Sequence, residues 1–212
     1  MMHETSSRRV FLTTSGLALA GGALAIPRVA VASAKVSAPA PSFTLASSAG
    51  GSVALGDQRG KLVILEWTNH DCPYVRKHYD TGNMQALQKE ATEQGIAWLT
   101  IISSAPGTQG HVSASEANEL TSSRRAVPTA VLFDPTGTIG KTYGATNTPH
   151  MYVIDKTGVL VYMGAIDDQP STRKSSVQGA NNYVRAALQA VAGGQPVKTP
   201  FTRAYGCTIK YA

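Results

Sequence analysis

The sequence predicts an α/β fold: a central mixed β-sheet with helices on both faces. Three observations carry this. Short apolar, β-branched and aromatic runs alternate with helix-length segments, in the order strand–helix–strand–helix–strand over residues 62–133. Two further strand-like runs, His150–Ile154 and Val159–Met163, are joined by Asp155-Lys-Thr-Gly158, a hairpin signature. Hydrophobic residues make up 42% of the chain and charged residues 15%, the balance of a globular chain with a core rather than of a disordered one.

Residues 1–34 read as a targeting segment. Ser7-Arg8-Arg9-Val10-Phe11-Leu12 matches a twin-arginine export pattern. A weakly apolar, glycine-containing stretch follows from Thr14 to Ile26, and Ala32-Ser33-Ala34 is an A-x-A cleavage site. The apolar stretch is too short to span a bilayer, and no later segment is a transmembrane candidate. The expectation is a signal peptide over 1–34, cleavage after Ala34, and a periplasmic mature protein with no membrane span.

The mature chain then divides into one domain over residues 35–194 and a C-terminal tail over 195–212. Lys35–Pro41 is an Ala/Pro/Ser stretch expected to be flexible. Phe43-Thr-Leu45 and Ser52–Leu55 are short strands around a Gly50-Gly51 turn. Leu62–Trp67 is a central strand. Pro73–Gln94 reads as a long helix ended by Gly95, with a break or kink signalled at Asp80-Thr-Gly82-Asn83. Ile96–Ile102 is a second buried strand. Ser113-Ala-Ser-Glu116 is a capping box opening a helix to about Arg125. Thr129–Phe133 is a third strand, Ile139–Tyr143 a short helix, and Ala180–Ala192 a last helix before Gly193-Gly194.

Charge excludes some partners. The formal net charge of +6 becomes +4 once the leader takes three arginines and one glutamate with it. The remaining cations are scattered, with no dense basic run and no basic–aromatic stripe, so no nucleic-acid partner is expected. No glycine-rich nucleotide loop is present, so no organic cofactor is expected, and two cysteines make no paired C-x-x-C metal motif.

The chemistry centres on Leu62-Val-Ile-Leu-Glu-Trp-Thr-Asn-His-Asp-Cys72-Pro-Tyr-Val. A buried strand runs into turn and N-cap residue types, and Pro73 suits a first helical position. Cys72 therefore stands at a helix mouth, where unpaired N–H groups and the helix dipole favour a thiolate. Arg76 and Lys77 one turn on would add to that, and Asp71 would oppose it. A turn position also argues against burial. Cys207 has three open roles: a resolving thiol that closes a disulfide on Cys72, one end of a permanent structural bridge, or an unpaired residue.

With Thr148-Pro149 directly before the strand His150–Ile154, and the hairpin Val153-Ile-Asp-Lys-Thr-Gly158 after it, the chain resembles the thioredoxin-like superfamily. Within it, the chain is similar to the peroxiredoxin-like branch of the alkyl hydroperoxide reductase/thiol-specific antioxidant group. The resemblance covers roughly residues 40–194. It implies a thioredoxin-like fold, Cys72 as the nucleophile, a cis peptide bond at Pro149, and a Thr148 backbone that pairs with a substrate peptide. It implies thiol-based oxidoreductase activity on a thiol/disulfide protein or a small oxidant, with an external thiol electron donor. The chain departs from both parent motifs. Val75 stands where thioredoxins have a second cysteine, and Leu65 and Asn69 stand where peroxiredoxins have proline and threonine.

Other polar residues have narrower readings. His150 follows Pro149, and the resemblance to the copper-chaperone branch of this fold, whose second cysteine is absent here, implies the alternative of a copper-handling or redox-sensing binding protein. No metal site is assigned. His78 is placed on the exposed face of its helix. Asp167-Asp168 reads as a polar rim or a solvated turn. Glu66 is a carboxylate at the end of a buried strand; the resemblance to thioredoxins, which have an acidic residue near this strand, implies a proton-transfer role for it.

Overall fold

The computed structural model of the protein describes residues 1–2 and 33–212, so nearly all of the expected signal peptide lies outside the described residues. The fold is that of the unit Val31–Ala212, described from residue 33 onward.

The strands in chain order are β1 (Thr44–Ser47), β2 (Ser52–Ala54), β3 (Val63–Trp67), β4 (Ala97–Ile102), β5 (Ala130–Phe133), β6 (Asn147–Thr148), β7 (His150–Ile154), β8 (Leu160–Gly164) and β9 (Cys207–Thr208). The α-helices are α1 (Pro73–Asp80), α2 (Asn83–Glu93), α3 (Ala114–Ser123), α4 (Thr138–Tyr143) and α5 (Tyr183–Ala192). Seven strands form one mixed sheet in the order β2-β1-β5-β4-β3-β7-β8, and β6 and β9 form a separate two-stranded ribbon. The β3–β4 and β4–β5 pairs are parallel, while β7 runs antiparallel to β3 and β8 antiparallel to β7. This is the mixed α/β architecture expected from the element order.

The central strands are buried on both faces, as their near-continuous apolar sequences require. Ile64, Trp98, Met151 and Val153 face one core cluster with Cys72, Val75, Met84 and Leu87 from α1 and α2. Leu65, Trp67, Leu99, Tyr152 and Ile154 face the other, with Tyr143. The Pro73–Gln94 segment is two helices: Thr81 ends α1, and Gly82 at φ 74° starts α2. The capping box is formed in full, with Ser113 Oγ accepting from Glu116 N and Glu116 Oε2 accepting from Ser113 N.

Lys35–Pro41 corrects the expectation of flexibility. Ser37 N donates to Leu160 O at 2.8 Å, Ala40 N to Gly158 O at 2.9 Å, and Leu160 N to Ala38 O at 3.0 Å. The open edge of β8 supplies the partners, because a strand end with unpaired backbone groups takes an extended neighbour. Among the described residues no helix is long and apolar enough to cross a membrane.

Candidate active site

Cys72 is the N-cap of α1, with Pro73 at the first helical position. The approach to it is built by Asn69. Its Oδ1 accepts from Asp71 N at 2.9 Å, its Nδ2 donates to Gln109 O at 3.3 Å, and its backbone O accepts from Cys72 N at 3.1 Å. Asn69 thus stands where peroxiredoxins have threonine, but its side chain is committed to holding the loop. His70 and Asp71 pair with each other at 3.3 Å on the surface.

Burial of Cys72 corrects the sequence reading. The residue has 0% exposure, although its turn position argued for access. Cys72 packs in the core cluster of α1, α2 and the sheet, and the C-terminal tail, with Tyr205 and Cys207, lies against it. The tail first extends β8: Met163 N donates to Pro200 O and Thr202 N to Met163 O, each at 3.1 Å. It then passes Asp167, and β9 pairs antiparallel with β6, setting Cys207 opposite Thr148 and Thr208 opposite Asn147. Asn147 Nδ2 donates to Gly206 O at 3.0 Å. Beyond β9, Ile209 is buried, its N donates to Thr146 O at 3.1 Å, and Ala105 N donates to Lys210 O at 2.8 Å.

This path brings the sequence candidates together. The Thr148–Pro149 peptide bond is cis. The Cys72 thiol donates to Thr148 O at 3.1 Å. Cys207, half-buried, lies beside Cys72, and the two are not joined by a disulfide. Burial pushes the Cys207 thiol up to about 12, and its hydrogen bond to the Cys72 side chain adds to that. Gly206 is required at this approach. Its φ is +137°, and a Cβ there would stand 1.9 Å from Thr148 O.

His150 is not brought to Cys72. Alternation along β7 sends it to the face of Tyr152, on which it stacks at 4.7 Å, while Met151 and Val153 face the cluster that holds Cys72. Both His150 ring nitrogens are buried without a partner, and burial lowers its pKa to about 4. Among the described residues no group of three or more His, Cys, Asp or Glu side chains is placed to hold a metal ion.

Glu66 is fully buried beneath α1 and α2. It accepts from Trp98 Nε1 at 2.8 Å, Tyr79 OH at 2.9 Å, Thr100 Oγ1 at 3.2 Å and Gln88 Nε2 at 3.4 Å. Desolvation raises its pKa, and the four donors pull the other way.

His78 and Asp167 also depart from the sequence reading. His78 is fully buried rather than exposed, and Asp167 is buried, while Asp168 caps the loop at Asn181. Both buried residues meet Tyr205 of the tail, as does Lys77. Lys77 therefore points along α1 to the tail rather than back to Cys72. This four-residue cluster has no sequence signature, since its members come from α1, the loop after β8, and the tail. The one signal in the sequence is the placement of Tyr205 two residues before Cys207.

A model of the AhpC/TSA family matches residues 36–163. Residues 164–212, Cys207 among them, lie beyond that match. No curated protein matches the chain at a significant level. Among solved structures, the chain is similar to an uncharacterised conserved protein of Geobacillus kaustophilus at 25% identity and TM-score 0.73, over 89% of this chain and 98% of that one. It is similar to a hypothetical protein of Sinorhizobium meliloti at 24% identity and TM-score 0.71, over 85% and 96%. The thioredoxin domain of a thiol-disulfide oxidoreductase from Bacteroides vulgatus aligns at 18% identity and TM-score 0.50, over 62% and 89%. Family and fold agree: the central mixed sheet with flanking helices is the thioredoxin-like fold.

Proposed function

Because the chain belongs to the AhpC/TSA family, we propose that it is a thiol-based oxidoreductase in which Cys72 is the nucleophile and Cys207 the resolving thiol. The observation that carries this is the β6–β9 pairing, which sets Cys207 opposite Thr148 while Thr148 O accepts from the Cys72 thiol. In the reaction Cys72 attacks one sulfur of a substrate disulfide R–S–S–R′, releasing R′–SH and leaving Cys72–S–S–R. Cys207 attacks the Cys72 sulfur, releases R–SH and closes the Cys72–Cys207 disulfide. The substrate gains two electrons and two protons. The chain loses them, and an external dithiol donor returns them. The thioredoxin-type edge at Thr148 and Pro149 is taken by β9 of the tail, so a substrate backbone would pair there, and reach Cys72, only once the tail is displaced.

Disulfides are preferred to hydroperoxides as substrates. Asn69 is spent on the loop, and Leu65 replaces the peroxiredoxin proline, so no side chain at these positions activates a peroxide. We assign the mature protein to the periplasm on its leader, so the exported chain is expected to begin at Lys35.

The test is turnover. With dithiothreitol as donor, the wild type should reduce a polypeptide disulfide catalytically. Cys72→Ser should be inactive, and Cys207→Ser should stall as a Cys72 mixed disulfide. A Cys72→Ser chain as active as wild type would overturn the proposal.

A further inference from the structure

Tyr205, two residues before Cys207, is tied to three buried side chains. Its hydroxyl donates to Asp167 Oδ1 and accepts from Lys77 Nζ and His78 Nε2, each at 3.3 Å. Asn83 Nδ2 donates to His78 Nδ1 at 2.8 Å, which fixes the proton on Nε2 and leaves that nitrogen to donate to Tyr205. One donated and two accepted bonds satisfy the hydroxyl fully. Lys77 is itself anchored by Gln169 O at 2.9 Å. The Tyr205 ring packs on Tyr74 at 5.8 Å and beneath the Lys77 ammonium at 5.2 Å. Lys77, His78 and Asp167 are all nearly fully buried.

The placement of these contacts gives them a consequence for the chemistry. Lys77 and His78 lie on α1, the same helix whose N-cap is Cys72. Tyr205 is separated from Cys207 only by Gly206, which is pressed against Thr148 O. The cluster therefore fixes the tail to the very element that carries the nucleophile.

Resting on the Cys72–Cys207 redox pair proposed above, we infer that Tyr205 is a positioning residue: its hydroxyl, bound by Asp167, Lys77 and His78, clamps the tail to α1 and so holds Cys207 against Cys72. The clamp matters most in the reduced chain. Once the disulfide has formed, the covalent bond itself holds the tail. Before it forms, Cys207 is held by non-covalent contacts on both sides: the clamp before it, and after it the β6–β9 ribbon with the Ile209 and Lys210 backbone bonds. Losing the clamp frees the reduced tail selectively, so the effective concentration of Cys207 at Cys72 falls and the disulfide becomes easier to reduce.

The test equilibrates full-length mature wild type, Tyr205→Phe and Asp167→Asn in glutathione buffers. The balanced reaction is chain dithiol plus oxidised glutathione giving chain disulfide plus two reduced glutathiones. Disulfide fraction is read by alkylation and mass, and folding by circular dichroism. Tyr205→Phe keeps the ring on Tyr74 and loses only the hydroxyl. Its disulfide equilibrium constant should fall about tenfold, a potential about 30 mV less reducing. Cys207 in the reduced variant should alkylate about tenfold faster. Asp167→Asn should move both readouts in the same direction. A residue that stabilised both redox forms alike would leave the potential unmoved. Wild-type potential and wild-type Cys207 alkylation in both folded variants would overturn the clamp. If the wild type itself forms no Cys72–Cys207 disulfide at any buffer ratio, the redox-pair reading fails instead, and the clamp stands or falls on Cys207 alkylation alone.

Discussion

Gly206→Ala isolates the fit of the tail to the active-site edge. A Cβ at position 206 would stand 1.9 Å from Thr148 O, 2.7 Å from Thr148 C and 3.4 Å from Pro149 N, with φ at +137°. All three contacts are backbone, so no side-chain rotation relieves them. The tail must retreat by about 1.5 Å to reach ordinary contact distance, and that loosens the Thr148–Cys207 register and the Asn147 Nδ2 bond to Gly206 O. Backbone strain of this kind costs about 1–3 kcal/mol, which is roughly a five- to 150-fold shift toward the undocked tail. Cys72 is fully covered in the docked state. The reduced variant should therefore alkylate at Cys72 faster by that factor under a slow thiol reagent, with the rest of the fold unchanged by circular dichroism. A folded Gly206→Ala chain whose Cys72 reacts at the wild-type rate would refute the idea that the tail helps to cover the sulfur.

Two further predictions concern buried polar groups beside the site. His150→Phe should leave stability at pH 7 unchanged or slightly higher, since both ring nitrogens are buried without partners. Burial holds native His150 near 4, so below pH 6.5 the unfolded chain binds a proton that the native chain refuses. This stability contribution is intact above pH 6.5 and is lost as pH falls toward 4. The variant should flatten that acid slope by about 1.4 kcal/mol per pH unit in urea titrations; the residual slope in the same direction comes from His78, lowered to about 3, while Glu66, raised by burial, opposes it. An unchanged slope would contradict the assignment. Glu66→Leu strands the Trp98 and Tyr79 donors (Gln88 Nε2 still donates to Tyr79 OH) and should cost about 3 kcal/mol or more, whereas Glu66→Gln keeps an acceptor for Trp98 and should cost about 1 kcal/mol. Equal losses for the two variants in urea unfolding would mean that the carboxylate is not the hub of this cluster.

The fold was legible in the sequence because its main signals are local. Leu62–Trp67 and Ile96–Ile102 are apolar enough to be central strands wherever they sit, and the Ser113–Glu116 capping box and Asp155–Gly158 turn each act within four residues. The helix break at Gly82 was visible for the same reason. What escaped depends on contacts between distant segments. His78 has a polar side chain on a short helix, and nothing local distinguishes it from a solvated residue. It is buried because Tyr205 and Asp167 arrive from 127 residues and 89 residues further along the chain. Cys72 looked accessible because turns usually are, and part of the cover comes from a tail whose sequence carries only a two-residue strand. The order at Lys35–Pro41 likewise comes from the free edge of β8, which is not encoded in those seven residues.

The proposed chemistry stands on Cys72 reacting first and Cys207 resolving it, and trapping puts that order to the test with the fewest intervening steps. Wild type and Cys207→Ser are treated with one equivalent of a model disulfide, digested without reduction, and mapped by mass spectrometry. A Cys72–Cys207 cross-link is expected in the wild type, and a stable mixed disulfide on Cys72 in Cys207→Ser. An intact fold with Cys72 unmodified in both chains would contradict the proposed order.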